Sequence, residues 1–138
     1  MKIAICDDES LFVDVISEHI LNIMRQYDDI DCRIYNCLSG DQLINLCRRE
    51  NIEMVCLDIA MPGLDGCQTA QKLREINRDV VLIFISNNET MVFSTYEYEP
   101  IWFVPKSRMI MLESAVKKGV AKLQTIKYHK RFVHISID

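Results

Sequence analysis

The fold of this chain is decided at residues 54–66, which read Met-Val-Cys-Leu-Asp-Ile-Ala-Met-Pro-Gly-Leu-Asp-Gly. The apolar run at 54–57 is continuous rather than alternating, which is typical of a strand covered on both faces of a parallel sheet. Asp58 ends that run, and proline and glycine follow at 62–66 as turn formers. This order predicts a buried central strand that stops at an aspartate.

Four further apolar runs alternate with helical patterns, and this alternation predicts an α/β fold with a parallel sheet. The continuous runs Ile3 to Cys6 and Val80 to Ile85 predict two more central strands. The more mixed segments, Cys32 to Cys37 and Ile101 to Val104, predict the two outer strands. Pro105 cannot donate a hydrogen bond to a neighbouring strand, which favours the sheet edge for the last one.

Apolar residues between these runs recur at spacings of three and four, which predicts helices packed on the sheet. The first helix is expected to pack one stripe of residues against the sheet: Phe12, Val15, Ile16, His19, Ile20 and Ile23. His19 is therefore expected to be packed rather than exposed. The fifth is expected to use Leu112, Val116, Val120 and Leu123. A short fourth helix is predicted near Met91 to Tyr96.

Composition narrows the class of protein. A chain of 138 residues with 49% hydrophobic content suits one folded domain, and a net charge of −4 excludes a dedicated nucleic-acid binder. The six cysteines form no Cys-x-x-Cys pair, which favours free thiols packed in the interior. The N-terminus shows no signal-peptide pattern, and no apolar run reaches the roughly 18 residues of a membrane span, so we expect a soluble cytoplasmic domain.

Polar residues stand where the predicted strands stop. Asp7 and Asp8 follow the first strand, Asp58 the third, Ser86 the fourth and Lys106 the fifth. The carboxyl ends of parallel strands meet at one edge of an open α/β sheet, where such folds bind their ligands. The sequence therefore predicts a site of three carboxylates, a hydroxyl and an ammonium.

Carboxylates held together repel one another unless a cation lies among them, and Mg²⁺ is typically held by one or two carboxylates, waters and phosphate oxygens. We expect Asp8 and Asp58 to bind Mg²⁺ directly and Asp7 to reach it through water. The backbone carbonyl of Ala60 is expected to add an oxygen. Lys106 and Ser86 would then neutralise and bond phosphoryl oxygens, which predicts phosphoryl transfer by positioning and charge.

Four segments together resemble the receiver domain of bacterial two-component response regulators over about residues 1–125: 6–9, 57–66, 85–86 and 103–106. The resemblance implies a flavodoxin-like (CheY-like) doubly wound five-stranded parallel sheet in the order 2-1-3-4-5, with helices on both faces. It also implies that Asp58 accepts a phosphoryl group from a sensor histidine kinase, and that Asp7 and Asp8 form an acidic pocket with Mg²⁺.

The same resemblance assigns roles to three further residues. Lys106 would contact the phosphoryl group, Ser86 would be the switch hydroxyl, and Phe103 would be the aromatic residue that changes rotamer. Such a domain catalyses only its own phosphorylation and dephosphorylation and is otherwise not an enzyme.

Residues 96–107 resemble the receivers of LytTR-type transcriptional regulators, which carry a β-rich DNA-binding domain after the receiver. This implies a receiver at 1–126, followed at 127–138 by a linker or by the first strand of an output domain outside this chain. The alternation of apolar and polar residues at 132–137 predicts that strand. The switch, and a homodimer, are expected to use the face made by the fourth helix, the fifth strand and the fifth helix.

Two departures from the family pattern support an alternative. Pro105 precedes Lys106, whereas many receivers have a proline after the lysine, and Asn87 follows Ser86 where many have a small residue. They favour a phosphorylation-independent dimerisation or protein-interaction module on the same fold. A phosphatase-like hydrolase is disfavoured because position 60 is alanine, which leaves no general acid two residues after Asp58.

Overall fold

The sheet of this protein has five parallel strands. A computed structural model describes the backbone of residues 1–137 and the side chains of residues 1–129. The strands are β1 (Lys2–Cys6), β2 (Arg33–Cys37), β3 (Met54–Leu57), β4 (Val81–Ser86) and β5 (Trp102–Pro105). Their order, β2-β1-β3-β4-β5, confirms the predicted arrangement, with the two mixed strands at the edges.

The helices lie on both faces of the sheet. They are α1 (Ser10–Met24), α2 (Gly40–Arg49), α3 (Gly66–Ile76), α4 (Val92–Thr95) and α5 (Met111–Ile137). One apolar cluster joins α1 and α5 to one face of the sheet, and a second joins α2 and α3 to the other. The central strands β3 and β4 are buried along their whole length, which explains their continuous apolar sequences.

Strand register places the ends of the strands at nearly one level. Cys6 pairs with Leu57, Leu57 pairs with Phe84, and Ser86 pairs with Pro105. The residues that follow β1 and β3 therefore leave the sheet side by side, and those that end β4 and follow β5 lie next to them. All the predicted polar residues thus come to the same edge of the sheet.

Three local predictions are corrected by the structure. Val15 and His19 are exposed rather than packed against the sheet, because the buried stripe of α1 is centred on Ile16 and Ile20 and leaves positions 15 and 19 on its flanks. The short fourth helix predicted near Met91 to Tyr96 is confirmed as a single turn, flanked by 3-10 turns at Glu89–Met91 and Tyr96–Tyr98.

The third correction concerns the end of the chain. The backbone of α5 stays helical through Ile137, so the strand predicted at 132–137 is wrong. A helix satisfies its own backbone hydrogen bonds, whereas a lone strand needs a neighbour that these residues do not have in the plan of five strands. The division into a receiver at 1–126 and a linker at 127–138 stays a prediction, and Asp138 lies outside the described residues.

All six cysteines lie in the described part of the chain and are free thiols, as predicted. No helix among the described residues is long and apolar enough to cross a membrane.

Candidate functional site

Asp58 is held at the carboxyl end of β3 by backbone contacts on two sides. Its N–H donates to the carbonyl of Cys6 at 2.9 Å, and only 4% of the residue is exposed. Gly66, the first residue of α3, packs closely against the Asp58 backbone: a Cβ at Gly66 would overlap the Asp58 carbonyl oxygen. A capping box between Asp65 and Gln68 fixes the start of the same helix. The helix and the strand together hold the carboxylate in place.

Two more carboxylates come from the loop between β1 and α1. Asp7 is fully buried, and its Oδ1 accepts a hydrogen bond from the Glu9 N–H at 2.9 Å. Asp8 is exposed. One oxygen from each of Asp7, Asp8 and Asp58 lies within 4.8 Å of the others. The structure therefore brings together the three acidic residues that were predicted to meet.

Lys106 supplies the cation of the site. Its Nζ lies 2.8 Å from Asp7 Oδ2 and donates a hydrogen bond to Asp58 Oδ2 at 3.4 Å. The side chain is only 7% exposed. The proline that precedes the lysine, Pro105, therefore does not keep the ammonium from the aspartates.

The charges of the site are unbalanced. Burial, together with the nearby Asp7 carboxylate, raises the pKa of Asp58 to about 6, although Lys106 acts in the opposite direction. Burial also disfavours the Lys106 ammonium, but its attraction to the two buried carboxylates outweighs this and raises the lysine pKa. Three carboxylates face one ammonium, so the ionised site has an excess of negative charge.

This donor set fits Mg²⁺. Asp7 Oδ2 is buried and accepts no hydrogen bond from the described residues, and its described partner is the Lys106 ammonium. Hard oxygen ligands with excess negative charge and one solvent-facing carboxylate are what a hydrated Mg²⁺ ion prefers. How these oxygens share the ion stays a prediction: Asp8 and Asp58 as direct ligands, Asp7 through water, and the backbone carbonyl of Ala60 as a further oxygen.

Ser86 ends β4 and Phe103 lies within β5, the two strands that follow β3 across the sheet. Ser86 is buried, and its hydroxyl oxygen accepts a hydrogen bond from the Asn88 N–H at 3.2 Å. Phe103 is half-buried, and lines a groove of about 600 Å³ between the α4 region and the start of α5, together with Tyr96 and Trp102. Asn87 is exposed. The positions suit the predicted switch roles, which stay predictions.

Two contacts were not predicted from sequence. The ring of Phe12 lies under the Lys106 ammonium, with its centroid 4.4 Å from Nζ. Arg74 donates hydrogen bonds to four backbone carbonyls just before β4 and β5, those of Arg78, Val80, Tyr98 and Glu99, and so lies at the edge of the sheet opposite the site. Helical spacing placed Phe12 on the inner face of α1, but no local signal indicated that the ring meets a lysine far along the chain.

Comparison with known proteins agrees with this geometry. Residues 3–117 match the family model described as the response regulator receiver domain. The chain is a response regulator receiver domain. Its predicted fold and its resemblance to response regulators are thereby confirmed.

The curated relatives of this receiver are longer proteins. It is 31% identical over 101 residues to sensory transduction protein LytT of Oceanobacillus iheyensis, an alignment that covers 72% of this chain and 39% of that protein. It is 28% identical to the positive alginate biosynthesis regulatory protein of Pseudomonas aeruginosa, with 86% of this chain and 47% of that protein covered. The receiver thus spans less than half the length of these two relatives.

Solved structures show the same fold. The response regulator TrrA of Thermotoga maritima, solved in complex with Mg²⁺-BeF, superposes with a TM-score of 0.74 at 23% identity, and the match covers 86% of this receiver and 97% of that chain. A receiver domain from Clostridium thermocellum gives a TM-score of 0.76 at 16% identity, with 91% and 98% covered.

Proposed function

We propose that this receiver takes a phosphoryl group onto Asp58 from a sensor histidine kinase, with Mg²⁺ bound in the acidic pocket. The observation that carries the proposal is the position of Asp58, buried at the end of β3 with Lys106 Nζ 3.4 Å away and two other aspartates beside it. A nucleophile, a cation for the phosphoryl oxygens and ligands for a metal ion are the parts that phosphoryl transfer requires.

The step itself uses few residues of the chain. A carboxylate oxygen of Asp58 attacks the phosphorus atom, the bond from phosphorus to the donor's imidazole nitrogen breaks, and the electron pair leaves with that nitrogen. Lys106 then exchanges its hydrogen bond with Asp58 for one with a phosphoryl oxygen. A bound Mg²⁺ supplies neutralisation of the phosphoryl charge, and Asp8 and Asp58 would hold it directly. The Ser86 hydroxyl is proposed to bond another phosphoryl oxygen.

The consequence of phosphorylation is proposed to be a change of surface. Ser86 and Phe103 are proposed to connect the site to the face formed by α4, β5 and α5, where α4 is a single helical turn. A shift in that segment would bias a homodimer or an attached output domain. Because similar residues occur in LytTR-type regulators, we propose a DNA-binding output domain and a role in transcription in the bacterial cytoplasm.

One observation favours the second candidate, a phosphorylation-independent interaction module. The aromatic pair Phe93 and Tyr96, with ring centroids 6.0 Å apart, is largely exposed at 82% and 62%. Exposed aromatic side chains of this kind mark contact surfaces. An interaction module would use this surface whether or not Asp58 is phosphorylated, so the chemistry of Asp58 distinguishes the two functions.

Incubation with Mg²⁺ and a small acyl phosphate tests the proposed reaction directly. We expect intact-mass spectrometry to show the gain of one phosphoryl group, and we expect Asp58→Asn to abolish it. Asp14→Asn, a change at an exposed aspartate on α1, is the matched control and should be phosphorylated like the wild type. A wild type that gains no mass would support the interaction module instead, and an Asp58→Asn variant that still gains it would refute Asp58 as the acceptor.

Titration with Mg²⁺ tests the pocket separately. A ligand that binds only the folded state adds about 2.7 kcal/mol to the free energy of unfolding when its concentration is 100 times its dissociation constant. Mg²⁺ should therefore raise the unfolding temperature. Asp8→Asn should weaken this effect by at least about tenfold in Mg²⁺ concentration, because it removes a direct ligand. Asp14→Asn should leave it unchanged, and an equal response of Asp8→Asn and wild type would refute the assignment of Asp8.

A further inference from the structure

Lys106 needs more than its two carboxylates to stay in the site. An ammonium has three donors and is strongly hydrated in water, yet this side chain is only 7% exposed. Asp7 and Asp58 meet it on one side. On another side its neighbour is the ring of Phe12, whose centroid lies 4.4 Å from Nζ. The ring face thus stands where water would otherwise solvate the ammonium.

Phe12 is well placed to act as a fixed wall. It lies in the first turn of α1, and its backbone N–H donates to the carbonyl of Glu9 at 3.0 Å. Its side chain packs against the buried cluster between α1, α5 and the sheet. The loop before it carries Asp7, so one short segment supplies both the carboxylate and the ring that contact Lys106.

The other end of the lysine is less restrained. Lys106 begins a 3-10 turn that lacks a side-chain cap and ends at Arg108, and the residue after the lysine is Ser107. A serine leaves the backbone after the lysine free of the restriction that a proline ring imposes. The position of the ammonium therefore depends on the groups that surround its tip.

We propose that Phe12 is a positioning residue for Lys106: its ring holds the ammonium against Asp7 and Asp58 by a cation–π contact and keeps water from it. The aromatic face attracts a cation most strongly where water is excluded. The part of this inference that concerns phosphorylation rests on the proposed function, since a displaced lysine would meet the phosphoryl oxygens less often. The contact itself does not depend on it.

The rate of phosphorylation by a small acyl phosphate tests the role of the ring. Phe12→Leu keeps an apolar side chain and removes the ring, and should slow labelling by about tenfold, as loss of a partly desolvated cation–π contact implies. Phe12→Tyr keeps the ring and should stay within about twofold of the wild type by the same reasoning. Leu11→Ala, at a neighbouring side chain that is 81% exposed, is the matched control and should not change the rate.

A double-mutant cycle separates positioning from a merely structural effect. In a Lys106→Gln background, Phe12→Leu should not slow phosphorylation further, because the ammonium that the ring positions is already gone. An equal loss in both backgrounds, or no loss in the wild-type background, would overturn the proposal.

An NMR measurement decides the question even if the chain takes no phosphoryl group. In protein with ¹³C-labelled lysine, Lys106→Gln identifies the Lys106 side-chain signals by their disappearance. The ring current of Phe12 should shift the ε protons of Lys106 upfield in wild type and Phe12→Tyr, and Phe12→Leu should return them to the position of exposed lysines. Unchanged Lys106 signals in Phe12→Leu would refute the contact. If the wild type shows the expected shifts but is not phosphorylated, only the proposed phosphorylation is refuted.

Discussion

The ammonium of Lys106 lies closer to the carboxylate of Asp7, at 2.8 Å, than to that of Asp58, at 3.4 Å. Asp7 therefore takes the larger share of the only cation beside these two buried carboxylates in the described site. Asp58 is left incompletely neutralised, and burial raises its pKa to about 6. The ionised form of the residue proposed as the phosphoryl acceptor is thus disfavoured, which has consequences for stability and for metal binding.

Stability without divalent cations should fall as the pH rises from about 4 to about 6. The folded pKa of Asp58, about 6, exceeds the unfolded value of about 4, so the folded state binds more protons in this window. The stabilisation is complete below the unfolded pKa and is lost as the pH rises through the folded one. The loss should be at most about 3 kcal/mol, since one pKa unit corresponds to 1.36 kcal/mol. Urea unfolding between pH 4 and 7.5 measures it.

Asp58→Asn should remove this pH dependence, and Asp14→Asn should retain it. Saturating Mg²⁺ should also flatten the profile, because the ion favours ionised Asp58 in the folded state. A wild-type profile that is flat between pH 4 and 6 without the ion would contradict the assignment of the raised pKa to Asp58.

Lys106→Met should destabilise the protein at neutral pH. The change keeps much of the aliphatic side chain but leaves Asp7 and Asp58 buried without a cation, and removing one partner of a buried pair costs about 3–5 kcal/mol. We expect the lower part of that range, because Asp58 can take up a proton. The free energy of unfolding from urea titration checks this, with Lys72→Met at an exposed position of α3 as the control. A Lys106→Met loss no larger than the control's would show that the ion pairs contribute little.

Gly66→Ala should disturb the site through the backbone. A Cβ at Gly66 would overlap the Asp58 carbonyl oxygen and come within 2.6 Å of the Ile59 Cα, so α3 or the end of β3 must move. We expect a loss of more than about 2 kcal/mol in the free energy of unfolding, as for other strained substitutions in a packed core. Gly63→Ala is the contrast: its φ of 74° favours glycine but nothing lies near the new Cβ, so the cost should be about 1 kcal/mol. Equal losses in the two variants would argue against the overlap.

Arg74→Met should loosen the connection between α4 and β5. The Arg74 guanidinium donates to the carbonyl of Tyr98 at 2.8 Å and to that of Glu99 at 3.0 Å, and it also binds the carbonyls of Arg78 and Val80. Its removal should cost about 2 kcal/mol, as expected when partly buried acceptors lose a charged donor. Hydrogen exchange should rise around residues 96–101 and change little in β1 and β3.

Arg78→Met is the matched control for that experiment, because the Arg78 side chain is exposed and only its carbonyl takes part in the cluster. Unchanged exchange at 96–101 in Arg74→Met would show that other contacts hold the segment.

Much of the fold was predictable from local sequence because strands that are buried on both faces have continuous apolar sequences. The predicted limits of β3, residues 54–57, agree with the structure, and the other strands agree within one residue at each end. Prediction failed where a local pattern fitted more than one structure. Spacing alone put Val15 and His19 on the buried stripe of α1, where both are exposed, and the alternation at 132–137 indicated a strand where the backbone is helical.

The sequence by itself determined which polar residues end the strands, and hence that Asp7, Asp8, Asp58, Ser86 and Lys106 meet at one edge of a parallel sheet. Only the tertiary structure decided how they share their charges: Lys106 is nearest to Asp7, and Phe12 closes its other side. The physical reason is that the ends of the strands, and their central or outer place in a parallel sheet, follow from local patterns, whereas distances of a few tenths of an ångström depend on how α1, β5 and their loops pack. Those distances set the pKa of Asp58 and the environment in which its chemistry is proposed to occur.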